Sequence, residues 1–129
     1  MTLLPALVLV LTIGLAGPAW AQTKTSTGRM LLSVGSTRTV SLRANPSTGY
    51  RWRLAAGESK NLSAVKITDA GFSRGNSSNR PPIGAPGLRQ WHIEGRMAGS
   101  ARAVFVYSRP WEHVPPARRH VLSIEVTHK

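Results

Sequence analysis

Apolar and polar side chains take turns at period two along most of this chain, and that alternation limits what it can become. Val40 and Leu42 share one face of a segment, and Tyr50, Trp52 and Leu54 share one opposite Arg51 and Arg53. Val65 and Ile67 open a run that reaches Phe72, and Trp91 and Ile93 alternate with His92 and Glu94. Ala101, Ala103, Phe105 and Tyr107 form a further face, and Leu122, Ile124 and Val126 stand against Ser123, Glu125 and Thr127. Period two puts one side of each strand in a core and the other in water. Residues 30–34 supply another apolar strand, and no long 3.6-residue period or internal repeat competes. The expected fold is all-β: an immunoglobulin-like antiparallel β-sandwich of about seven strands.

The first 21 positions carry no charged side chain, and residues 3–15 are mostly apolar. Ala19, Trp20 and Ala21 fit a small-x-small cleavage site, so residues 1–21 are expected to be a signal peptide. Residues 22–28 are expected to be a linker and residues 29–129 the folded domain, large enough for one hydrophobic core. Export to the periplasm or the exterior follows, with no membrane association after cleavage. The sequence has no cysteine, which excludes disulfides, thiolate chemistry and cysteine-ligated metals.

Seventeen Lys and Arg face 5 Asp and Glu, a formal charge of +12. Such a surplus favours acidic partners. The arginines are scattered (Arg29, Arg38, Arg43, Arg51, Arg53, Arg74, Arg89, Arg96, Arg102) and several alternate with apolar residues, as solvent-facing strand positions do. That spread, in an exported chain, argues against nucleic acid.

Nothing in the sequence composes a catalytic site. Glu58, Asp69, Glu94, Glu112 and Glu125 show no interpretable spacing, and His92, His113, His120 and His128 form neither HExxH nor a close His-x-His pair. There is no G-x-S-x-G, phosphate loop or dinucleotide fingerprint. No enzyme activity, metal or cofactor is expected.

The loops carry the remaining information. Residues 45–50 read NPSTGY, a density of turn formers well beyond what a reversal needs. Two connections, residues 71–88 and 108–120, are long for so small a domain, which points to function or mobility. The first contains the turn Gly84, Ala85, Pro86 and Gly87; the second places Arg109, Pro110 and Trp111 just past a strand.

These three segments, in this order and spacing, resemble the signature loops of the chagasin family, proteinaceous inhibitors of papain-like cysteine peptidases. The resemblance runs from about Arg29 to Thr127. It implies a sandwich whose three loops lie side by side and fill the peptidase cleft, reversibly and uncleaved. Asn45, Pro46, Ser47, Thr48, Gly49 and Tyr50 would be the central loop, with Ser47 and Thr48 at its tip beside the catalytic cysteine. Gly84, Ala85, Pro86 and Gly87 would flank one side, and Arg109, Pro110 and Trp111 the other, with Trp111 the expected hot spot. Ser47 stands where the family usually has threonine, and Pro86 where it usually has glycine. The expected partner is a papain-like cysteine peptidase, met by a monomer. The competing readings are an exported β-sandwich module that binds carbohydrate or another protein, with Trp111 as a stacking platform, and a basic protein that docks on anionic surfaces.

Overall fold

In the computed structural model, which describes residues 23–74 and 86–128, the chain forms seven strands in two packed sheets. The strands are β1 (Lys24–Ser33), β2 (Thr37–Ala44), β3 (Arg51–Leu54), β4 (Val65–Ser73), β5 (Gly87–Gly95), β6 (Gly99–Ser108) and β7 (Arg118–Thr127). One sheet has the order β1-β7-β6-β3 and the other β2-β5-β4. The expected signal peptide, residues 1–21, lies outside the described residues.

Alternation sets which side chains meet between the sheets. Phe105, Ile93 and Ala103 are fully buried, and Ile124 and Val126 nearly so. Trp52 and Trp91 lie in the same core, Trp91 against Phe105 with ring centroids 4.6 Å apart. Each large side chain so buried contributes about 1.5–3 kcal/mol of hydrophobic stabilisation. The alternation breaks in β6. Val104 and Val106 point away from the main core, yet both are buried with Ala55 and Val121. The short turn Ala56–Glu58 follows Ala55, and Ala55 N–H donates to Val104 O at 2.7 Å. The continuous apolar run Ala103–Tyr107 is the sign of a strand covered on both faces.

The expected all-β sandwich of seven strands is borne out, with two corrections of detail. The sandwich is antiparallel except for β1, which pairs parallel to β7 from Lys24↔Arg118 to Ser33↔Thr127. The reason is the tight turn after β1, where Gly35 has φ +87° and the Ser36 hydroxyl donates to Ser33 O. Gly35 N–H donates to Gly95 O, and Gly95 N–H to Ser36 O. The chain is thereby handed to the opposite sheet instead of folding back as a hairpin. β1 takes the open edge of β7 instead. The second correction concerns residues 22–28. From Lys24 onward they are strand, not linker. Their polar side chains carry no alternation because they are mostly exposed at a sheet edge, where backbone bonding to β7 does the ordering.

The strand ends define one pole of the molecule. Ala44 pairs with Gly87, Arg51 with Ser108, and Lys24 with Arg118. Residues 45–50, the end of the 74–86 connection and the start of the 109–117 connection therefore emerge together. The 71–88 connection is shorter than expected, since Gly71, Phe72 and Ser73 are paired to Gln90, Arg89 and Leu88.

Candidate functional site

The 45–50 loop is held in one shape by its own atoms. Pro46–Thr48 forms a single 3-10 turn. Asn45 caps it: its Oδ1 accepts from Ser47 N–H at 3.3 Å and from the Ser47 hydroxyl at 2.6 Å. Asn45 O accepts from Thr48 N–H at 3.2 Å and from the Thr48 hydroxyl at 2.7 Å. Gly49 N–H closes the turn on Pro46 O at 3.0 Å. Gly49 has φ +82°, a left-handed conformation that glycine adopts at no steric cost. Pro46 supplies the complementary restriction through its ring. Ser47 and Thr48 are exposed at the tip, while Asn45, Gly49 and Tyr50 are half-buried below it.

The loop is fastened to the sandwich through Tyr107. The Tyr107 hydroxyl accepts from Asn45 N–H at 3.0 Å. Its ring stacks on Tyr50 at 5.2 Å and on Trp52 at 4.9 Å. Trp52 Nε1–H in turn donates to Arg43 O at 2.9 Å. Tyr50 is thus a packing residue at the loop base.

The third loop is fastened to the first. Arg109 Nε–H donates to Thr48 O at 3.0 Å, and its guanidinium lies 4.4 Å from the centroid of the Tyr50 ring. Its Nη1 pairs with Glu112 Oε1 at 2.9 Å, a bond that raises the arginine's pKa further. A planar, always-charged guanidinium can satisfy a carbonyl, a carboxylate and a ring face together, which an ammonium cannot. Trp111 lies across Gly49 so closely that a Cβ there would collide with the indole ring. The same indole is 66% exposed, so it is seated on the loop without being hidden by it. Pro110 is exposed beside it.

Gly84 and Ala85 lie outside the described residues. Pro86 is exposed, and with Asn45, Arg43 and Tyr107 it lines a cavity of about 290 Å³ at the loop-bearing pole. Gly87 is the first residue of β5, where a Cβ would come within 2.5 Å of Ser73 O and of the Phe72 ring. That crowding, not only approach to a partner, requires glycine there.

Tyr107 and Glu112 are the contributors that sequence reasoning missed. Tyr107 reads as core by alternation, and its hydroxyl's partner is 62 residues away in sequence. Glu112 had a detectable signal, an acid three residues after Arg109, the spacing of one turn. Among the described residues no group of His, Asp and Glu gathers as metal ligands would.

The interlocked loops at one pole of the β-sandwich present a preformed surface, the kind of feature a docking protein uses. The description "Chagasin family peptidase inhibitor I42" matches residues 31–126, and the chain belongs to that family. Chagasin of Trypanosoma cruzi is 31% identical over 96 residues, covering 69% of this chain and 80% of that protein. The crystal structure of a cysteine protease inhibitor from Entamoeba histolytica is similar with a TM-score of 0.60 at 25% identity, over 85% of this chain and 99% of its own. PbICP-C, solved in complex with falcipain-2, shares the fold with a TM-score of 0.58 at 23% identity, over 88% of this chain and 95% of its own. The family description and the Entamoeba histolytica structure both name inhibitors rather than enzymes, which agrees with a chain that is not an enzyme.

Proposed function

We propose that the exported chain, periplasmic or secreted and monomeric, is a reversible, tight-binding inhibitor of papain-like cysteine peptidases that inserts its pole of loops into the active-site cleft. The observation that carries this reading is the fastening of loop to loop: Arg109 bonded to Thr48 O, and Trp111 seated on Gly49. Two loops that are separate in sequence behave as one wedge. Ser47 and Thr48 form its narrow tip, suited to lie beside a catalytic cysteine. Pro86 and Gly87 flank one side of the cleft, to which the family resemblance alone assigns Gly84 and Ala85, and Pro110 and Trp111 flank the other.

The geometry supports a reading of inhibition without cleavage. A substrate offers an extended backbone whose carbonyls are free to be polarised. Here the carbonyls of Asn45, Pro46 and Thr48 already accept bonds within the protein, and the tip is a turn. Affinity follows from the same rigidity. Ordering a backbone costs about 1–2 kcal/mol per residue, and a loop ordered before docking avoids most of that cost.

The test is titration of papain with residues 22–129. The expected result is reversible, active-site-directed inhibition, weakened about 30-fold or more by Trp111→Ala. An absence of inhibition at micromolar concentration across several papain-like enzymes overturns the proposal.

A further inference from the structure

Each strand carries a cation at or next to its loop-bearing end. Arg89 on β5 and Arg109 after β6 are ion-paired, to Asp69 and Glu112. The others are Lys24 opening β1, Arg43 near the end of β2, Arg51 opening β3, Arg74 just after β4, and Arg118 opening β7. These last five are exposed. Every Asp and Glu side chain of the chain falls among the described residues, so the acids can be accounted for. Asp69, Glu94, Glu112 and Glu58 pair with Arg89, Arg96, Arg109 and Arg119, and Glu125 accepts from Ser100. None is left to neutralise Lys24, Arg43, Arg51, Arg74 or Arg118. Arg43 and Arg118 line the cavity directly below Asn45 and Pro86.

Arg118 also lies over the Tyr107 ring, 5.7 Å from its centroid, but no carboxylate offsets these like charges, which repel one another around one pole. Their position gives them another use. When the loops enter a cleft, these side chains are carried against its rim. We propose that the cations encircling the base of the loops are a docking surface for carboxylates on the rim of the target's cleft, so that the preferred partner is a cysteine peptidase with an acidic rim. This rests on the inhibitor reading and adds the target's charge. The contribution is to association, because exposed charges act at long range before contact and steer encounter by 10-fold or more at low salt.

The test uses residues 22–129 in stopped-flow association with two papain-like cysteine peptidases, one rimmed by Asp and Glu and one by Lys and Arg. One variant combines Arg43→Gln, Arg51→Gln and Arg118→Gln. A control removes the same charge elsewhere, through Arg29→Gln, Lys66→Gln and Arg102→Gln. At low ionic strength the first variant is expected to associate with the acidic-rimmed enzyme about 10-fold more slowly, with its dissociation rate little changed. The control is expected to stay within about 2-fold, and the difference to vanish near 1 M salt, where the Debye length is about 3 Å. The salt dependence of the unchanged chain needs no variant to fold; it is expected to be steep with the acidic-rimmed enzyme and flat or inverted with the other. Equal slowing by both variants, or equal salt dependence with both enzymes, overturns this inference and leaves the inhibitor reading intact. Failure of the unchanged chain to inhibit either enzyme overturns both.

Discussion

Gly49→Ala separates what holds the loop from what makes it bind. Gly49 sits at φ +82°, and a Cβ there collides with the Trp111 indole. The two consequences differ in kind. A left-handed residue with a Cβ costs roughly 1–2 kcal/mol of folded-state stability. The collision itself is cheap for folding, because the obstacle is a largely exposed side chain free to swing away. It is expensive for docking, because the swung indole no longer lies against the tip. Displacing an aromatic hot spot costs about 2 kcal/mol or more of binding, some 30-fold in Kd. Thermal unfolding of Gly49→Ala should therefore fall by about 5–10 °C, at roughly 4–8 °C per kcal/mol for a domain near this size. Inhibition of a papain-like enzyme should weaken by more than that stability loss explains. Gly49→Asn sharpens the test, since asparagine tolerates the left-handed region but keeps the collision. It should recover much of the melting temperature and little of the affinity. If Gly49→Asn restores both, or if Gly49→Ala melts early yet binds like the unchanged chain, the seat on Gly49 is not what positions Trp111.

Three further outcomes test the rest of the site and the β1–β7 edge. Arg109→Lys keeps the charge but loses the simultaneous contacts to Thr48 O, Glu112 and the Tyr50 ring; complexes with a papain-like enzyme should dissociate faster in surface-plasmon measurements while associating at an unchanged rate, and an unchanged dissociation rate would count against the clamp. Tyr107→Phe removes the acceptor for Asn45 N–H and should lower stability by about 1 kcal/mol, read as a lower urea midpoint with the slope of the transition unchanged. His120, half-buried with its Nδ1 2.7 Å from the Ser26 hydroxyl, has its pKa lowered by desolvation. The unfolded chain then binds this proton more readily than the native one, so its contribution to stability is complete above the ordinary histidine value near pH 6.5 and is lost as pH falls through the lowered native value. His120→Gln should flatten that part of the stability–pH curve, and an identical curve in the variant refutes the assignment.

How much of this was legible in the sequence depends on the range of the physics involved. Strands such as Thr37–Ala44 and Gly87–Gly95 are visible because burial acts on neighbours two residues apart, and the alternation records it directly. The first half of β1 is not visible, because its polar residues gain order only from backbone bonds to Arg118, Arg119 and His120 at the far end of the chain. The parallel pairing is hidden for the same reason: the decision lies in the turn at Gly35, which hands the chain to the other sheet. The loops divide likewise. Asn45, Pro46 and Gly49 announce a stiff turn, since each constrains its own backbone.

Arg109 and Trp111 announce only that a cation and an aromatic are near each other; which of them serves the fold and which is left for a partner depends on what the other loop places beneath them. The structure divides the labour. The guanidinium is turned inward, with two of its five N–H donors on Thr48 O and Glu112 and its plane near the Tyr50 ring. The indole rests one side on Gly49 and stays mostly open. The same three-residue motif therefore contains an internal clasp and an exposed aromatic face. Because Glu112 takes one of the guanidinium's donors, it keeps the arginine turned inward, which makes the rigidity of the wedge depend on a residue outside the motif.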